Sequence, residues 1–197
     1  MKTLVIDIET DKLPPKNGVY GQQFLQYPNI VSIAWKVNDA PVLEYIINQE
    51  GRKLSAENIA IHGITNEMTA ASPHYIVPIL TELIACEVPD KVIGHNIYFD
   101  SSTIKAQMLR LCHFKKMERP SFTKLEALLN KDLRVDTMKL TTKWCDLPGK
   151  YGPKWPKLEE LHFKLFGTLP EKTHSSGSDV ETTHKCYVEL VKRGIIK

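Results

Sequence analysis

The sequence predicts one α/β domain built on a mixed β-sheet, and three observations carry that prediction. The N-terminal part holds three strand-like runs, "TLVIDIE", "NIVSIAWKV" and "VLEYIIN", placed to form an antiparallel meander. The rest alternates helical periods with short apolar runs, the pattern of helices alternating with parallel strands. No internal repeat, low-complexity tract or linker interrupts the 197 residues, a length that suits one substantial domain.

Taken in order, the meander opens on a strand whose Val5 and Ile6 look like core residues, and "NDAP" supplies a tight turn between the second and third strands. "KLSAENIAIHGIT" reads as a loop with a short helix. A longer helix is expected from Ser72-Pro73, serine as N-cap and proline at the first position, through "IVPILTELIAC". Pro78 would kink that helix or mark its true start. "KVIGHN" is a short buried strand, and "FDSSTIKAQMLRLC" then places Ile104, Met108, Leu109 and Cys112 on one side of a helix. "RVDTMKLTTKW" is a brief strand or turn entering another helix, and "GKYGPKWPK" is a loop. "KLEELHFKLFG" is an amphipathic helix ended by Gly167, and "SDVETTHKCYVELVKRG" is a final helix ended by Gly194.

Composition narrows the class. A net charge of +3 is too small to imply nucleic-acid binding by itself, and Lys115, Lys116, Arg119 and Lys124 read as solvated surface. Cys86, Cys112, Cys145 and Cys186 are scattered without a CxxC pair, which argues against a zinc cluster or a disulfide framework. The longest apolar runs stop short of the ~20 residues a membrane span needs. No signal-peptide pattern precedes the first strand, so a cytoplasmic protein without membrane association is expected.

The stretch "VIDIETD" does not fit a plain core strand. Alternate side chains of a strand share a face, so Asp7, Glu9 and Asp11 would line one side. Like charges repel, and desolvating them costs more. If the strand simply ended there, the acids would face water. Asp100, in "GHNIYFDSSTI", and Asp179, in "HSSGSDVETTHKCYVEL", each fall in the first turn of an expected helix. Alone, each is an acid favoured by the helix dipole. His174, alone, is a loop histidine. The combination says more, because all four carboxylates adjoin core segments. Hard divalent cations with oxygen ligands would neutralise such a cluster. Two of them ~3.5–4 Å apart stabilise both the attacking and leaving oxygens of a phosphoryl displacement.

The ordered motifs "DIET", "HNIYFD" and "HSSGSD" make the chain resemble the DEDDh branch of the DnaQ-like 3′–5′ exonucleases, which includes the DNA polymerase III epsilon subunit. These belong to the ribonuclease H-like superfamily. "IHGIT" and "VDTMKL" are similar to further segments of that family. The resemblance implies a ribonuclease H-like fold, a mixed five-stranded sheet flanked by helices, with residues 1–197 forming one exonuclease domain. Two departures stand out. "TDKL" replaces the usual "TTGL", with Lys12 for glycine, and Gly177 and Ser178 replace a larger pair in the third motif.

By the same resemblance, Asp7, Glu9, Asp100 and Asp179 would hold two Mg²⁺ or Mn²⁺ ions. His174 would be the general base, a task suited to an imidazole with a pKa of about 6.5. The implied reaction is hydrolysis of the terminal phosphodiester of single-stranded nucleic acid, DNA favoured, releasing nucleoside 5′-monophosphates. Thr10, Leu13 and Phe99 would contact the 3′-terminal nucleotide, Phe99 having a core position as its alternative. Asn96 would orient the strand-to-helix turn, His95 would be structural, and Asp11 would be surface. Lys150, Tyr151, Lys154, Trp155 and Lys157 would form a packed surface loop, with a strand grip as the alternative. The implied partners are 3′ ends of single-stranded DNA or RNA, with a DNA polymerase subunit as a further candidate. An RNA-trimming or oligoribonucleotide exonuclease is the alternative activity. A catalytically inactive nucleic-acid-binding or polymerase-associated module is a third reading, weakened because all five expected catalytic residues are present. Oligomeric state is not legible.

Overall fold

A computed structural model describes residues 1–16, 18–171 and 175–196. The expected meander is β1 (Thr3–Thr10), β2 (Ile30–Val37) and β3 (Leu43–Ile46), paired antiparallel. On its other side β1 pairs in parallel with β4 (Lys91–Gly94), and β4 pairs in parallel with β5 (Arg134–Asp136). The sheet is therefore mixed and five-stranded, in the order β3-β2-β1-β4-β5, with β1 at its centre.

Alternation along β1 divides the interior in two. Leu4, Ile6 and Ile8 enter a core with Trp35, Leu80 and Ile104, while Val5 enters a second core with Ala34, Ile93 and Val180. Each such buried aliphatic side chain contributes about 1.5–3 kcal/mol. A central strand anchored this way tolerates unfavourable residues at its C-terminal end. Asp7 and Glu9 continue the second face.

Most helices follow from local signals; Tyr20–Gln23, Asn66–Ala71 and Arg119–Leu128 were not expected, and the helix expected from Ser72 starts later. After the short α1 (Tyr20–Gln23), α2 (Ala56–His62) starts at a Ser55 cap and stops at left-handed Gly63. α3 (Asn66–Ala71) begins at Thr65, whose hydroxyl accepts the Met68 N–H. The helix expected to begin at Ser72-Pro73 is instead α4 (Ile76–Leu83). Ser72 is extended and closes α3; its hydroxyl donates to the Ile46 carbonyl at 2.5 Å, which ties it to β3 rather than to a helix start. Pro78 lies in the first turn of α4, where a missing N–H costs nothing. α5 (Ile97–His113) buries Ile104 and Met108 as expected. α6 (Arg119–Leu128) was not anticipated; Pro120 opens it and Leu125 and Leu128 anchor it. α7 (Thr137–Cys145) and α8 (Leu158–Phe166) follow, the latter ended by Gly167 at φ 74°. α9 (Ser176–Lys192) ends just before Gly194 at φ 68°. Residues of α4, α5 and α6 pack on the strands to build the first core, and those of α8 and α9 pack on them to build the second. Among the described residues no helix is long and apolar enough to cross a membrane.

Candidate active site

Strand register sets out the acidic face. Asp7 lies opposite Ala34, Ala34 lies opposite Glu44, and Glu9 lies opposite Ser32. α9 packs over this face. Its Ser176 hydroxyl bonds that of Ser32, and its Glu181 carboxylate accepts from Lys36 Nζ at 3.0 and 3.2 Å. The first turn of α9 is thereby pinned above β1 and β2. One carboxylate oxygen each from Asp7, Glu9 and Asp179 then lie within 4.8 Å of one another.

Asp100 arrives from the opposite side of the sheet, in the first turn of α5. It is 3% exposed, and its Oδ1 accepts the N–H of Ile8, the residue between Asp7 and Glu9, at 3.2 Å. The β4–α5 turn that delivers it is tightly built. A Cβ on Gly94 would come within 2.9 Å of Ile97 Cδ1, and Asn96 adopts a left-handed φ of 75°. The Asn96 N–H donates to Asp136 at 3.1 Å, and His95 bonds Thr137 Oγ1 at 3.0 Å and the Pro156 carbonyl at 2.9 Å. Both residues thus have the turn-orienting and structural roles expected of them.

The electrostatics show the strain of this arrangement. Burial, then the charges of Asp100, Asp179, Glu9 and Glu44, raise the Asp7 pKa well above the carboxylate range. Burial and Asp179 push Glu9 up to about 7. Burial raises Asp100 as well, against the pull of its own backbone N–H and that of Ile8, with Glu9 and Asp136 adding to the rise. Three carboxylates that resist ionisation, Asp7, Glu9 and Asp100, with the Asp179 carboxylate beside Asp7 and Glu9, form an oxygen-donor set that suits hard divalent cations such as Mg²⁺ or Mn²⁺. His174 lies outside the described residues.

The other expected contacts separate. Thr10 is half-buried and its hydroxyl donates to the Lys12 carbonyl at 2.9 Å, while Leu13 is 81% exposed. Phe99 packs against the first core, the alternative noted for it. Asp11 is half-buried rather than freely exposed at the surface. β1 ends at Thr10, beside a bulge that leaves Val31 of β2 as the extra residue, and Asp11 lies beyond the strand, outside the acidic row. Its carboxylate accepts from the Asn29 backbone at 2.8 Å and side chain at 2.6 Å. Arg110 extends the knot, donating to Asn29 Oδ1 at 2.5 Å and to the carbonyls of Tyr27 at 2.6 Å and Phe24 at 3.0 Å. The expected packed loop is also different: Tyr151 is 92% and Trp155 62% exposed. Its C-terminal end is held, through buried Pro156 and the Lys154–Glu160 ion pair. Two residues near the site went unrecognised in the sequence, Arg110 and Glu44. No local motif marks either; the one available signal for Glu44 is strand alternation, which needs the register of β3 to become meaningful. A hollow of about 700 Å³ between α8 and α9, lined by His162, Phe166, His184 and Val188 among others, contains none of the four carboxylates.

No family model matches the chain, and no curated relative is similar enough in sequence to match it. Solved structures do match. Exonuclease I of E. coli in complex with a dA16 oligonucleotide is 16% identical, covering 98% of this chain and 41% of its own, with a TM-score of 0.69. Exonuclease I from Methylocaldum szegediense is 17% identical, covering 98% and 40%, with a TM-score of 0.68. The nuclease domain of 3′hExo, a DEDDh family member bound to rAMP, is 15% identical, covering 98% and 93%, with a TM-score of 0.66. The chain spans about two fifths of the exonuclease I chains and nearly all of the 3′hExo domain. The sheet order, the helices on both faces and these superpositions together show that the chain shares the fold of these exonuclease structures.

Proposed function

We propose that residues 1–197 act as one metal-dependent 3′–5′ exonuclease domain of the DEDDh type, releasing nucleoside 5′-monophosphates from single-stranded nucleic acid, DNA favoured. The observation that carries this reading is the convergence of Asp7, Glu9 and Asp179 on one point, with Asp100 bonded to the intervening backbone. Asp7, Glu9, Asp100 and Asp179 hold a pair of Mg²⁺ or Mn²⁺ ions. Bound there, such ions supply charge stabilisation to the attacking and leaving oxygens of the scissile phosphodiester. His174 takes the proton from the attacking water. Thr10 and exposed Leu13, at the end of β1, meet the terminal nucleotide. Structures of exonuclease I with single-stranded oligonucleotides, and one with a zinc ion and single-stranded DNA, support a divalent metal and a single-stranded substrate for this fold.

RNA is the second reading, favoured by the 3′hExo nuclease domain, which is matched over 93% of its length and is bound to rAMP. One experiment tests both: digestion of DNA and RNA single strands labelled at the 3′ or 5′ end, with Mg²⁺, with Mn²⁺ and with chelator. A 3′–5′ exonuclease releases 3′ label at once as mononucleotide and shortens 5′-labelled strands stepwise, and chelator stops both. Release of 5′ label first, or digestion that persists in chelator, overturns the reading.

A further inference from the structure

We propose that Glu44 is a positioning residue that holds the first turn of α9, and with it Asp179, in register with Asp7 and Glu9; this rests on the metal-site reading above. Glu44 stands on edge strand β3, more than 130 residues away in sequence from the turn it holds. Its Oε1 accepts the Gly177 N–H at 2.9 Å and the Ser176 hydroxyl at 3.3 Å. The N–H groups of a first helical turn have no partner within the helix, and a carboxylate there is favoured by the helix dipole. Ser176 also bonds Ser32, so the turn is clamped to β2 and β3 together. A Cβ on Gly177 would come within 2.7 Å of Glu44 Cδ, so a larger residue there would displace the Glu44 carboxylate from its present place. That accounts for the small residue in "HSSGSD" where a larger one was expected: the carboxylate of Glu44 occupies the space.

The leverage is short. Gly177 and Asp179 are two residues apart on one helical turn, about 3 Å along its axis. A site of converging carboxylates tolerates displacement of only about 0.5 Å. Ser175 caps the same turn through Ser178, and its carbonyl accepts the Asp179 N–H, bonds that lie within the helix start itself. Glu44 supplies a tie to the sheet from β3.

The test is calorimetric titration of the full chain with Mn²⁺, without substrate, together with hydrogen exchange at the Gly177 amide. Glu44→Ala should weaken Mn²⁺ binding about tenfold or more, the usual effect of removing a group that orients a ligand. It should also speed Gly177 amide exchange. Glu44→Gln keeps an acceptor oxygen and should bind Mn²⁺ like the wild type. Gly177→Ala should weaken binding in the wild-type background and add nothing to Glu44→Ala, where the new Cβ has room, so the two changes are non-additive. Far-UV circular dichroism checks that each variant folds, and the Glu44→Gln and Gly177→Ala pair carries the test if Glu44→Ala does not. The proposal is overturned if Glu44→Gln is as weak as Glu44→Ala, which would make charge rather than position the cause. It is equally overturned by unchanged Gly177 exchange in Glu44→Ala. A wild-type chain that binds no Mn²⁺ overturns the metal-site reading and this proposal with it, whereas wild-type binding with an unaffected Glu44→Ala overturns this proposal alone.

Discussion

Replacing Glu9 by glutamine should make the metal-free protein more stable above neutral pH, and the size of the gain follows from the site. Burial and Asp179 lift the Glu9 pKa from 4.5 to about 7 in the folded chain. The folded state therefore holds this proton more tightly than the unfolded state does. Stability falls as pH rises from 4.5 through about 7, and above that the loss is complete. A displacement of that size corresponds to about 3 kcal/mol, reduced to roughly 2 because Glu9 keeps partial contact with water. For a chain of this length each kcal/mol moves the melting temperature by about 2–4 °C. In chelator, Glu9→Gln should melt about 4–8 °C above the wild type once pH exceeds 7, and the two curves should converge near pH 4.5. The assay is thermal unfolding by circular dichroism across that pH range. Adding Mn²⁺ should raise the wild-type melting temperature above pH 7 more than that of Glu9→Gln, because a cation that binds only the folded state stabilises it in proportion to its affinity. Superimposable pH curves for the two proteins in chelator would refute the claim that Glu9 is ionised against its neighbours.

Asp7→Ala should abolish mononucleotide release while leaving metal-free stability unchanged or higher, since it removes a buried carboxylate opposed by Asp100, Asp179, Glu9 and Glu44; a labelled-strand digest and a melting curve check both. His174→Ala should slow turnover ~10²–10⁴-fold and flatten the acidic limb of the pH–rate profile with little change in KM, as steady-state kinetics across pH will show. Arg110→Ala should destabilise the fold by about 2–4 kcal/mol in urea unfolding, because it strips the donors from Asn29, Tyr27 and Phe24. Arg110→Lys should rescue little, lacking the planar fork that reaches several acceptors at once.

The strands and most helix ends were legible because their causes are local. Period-two alternation in "TLVIDIE" placed Asp7 and Glu9 on one face, and Gly167 and Gly194 ended helices through left-handed backbone. Ser72 misled for the same reason. Ser-Pro before an apolar run is a sound cap signal, yet the hydroxyl found a stronger partner in the Ile46 carbonyl, contributed by a strand 26 residues away. α6 was missed because its anchors, Leu125 and Leu128, are few, and the chain between them is polar.

Taken by itself, the sequence determined the mixed sheet and the placing of Asp7 and Glu9 on one face of its first strand, since period-two alternation is a local property. Tertiary structure alone decided that Asp11, beyond the end of β1, bonds Asn29 instead of joining the row, that Arg110 ties it into a knot, and that Glu44 reaches the start of α9. Those outcomes depend on register between segments far apart in the chain. Register is set by how side chains pack across the sheet, and no short window of residues encodes that.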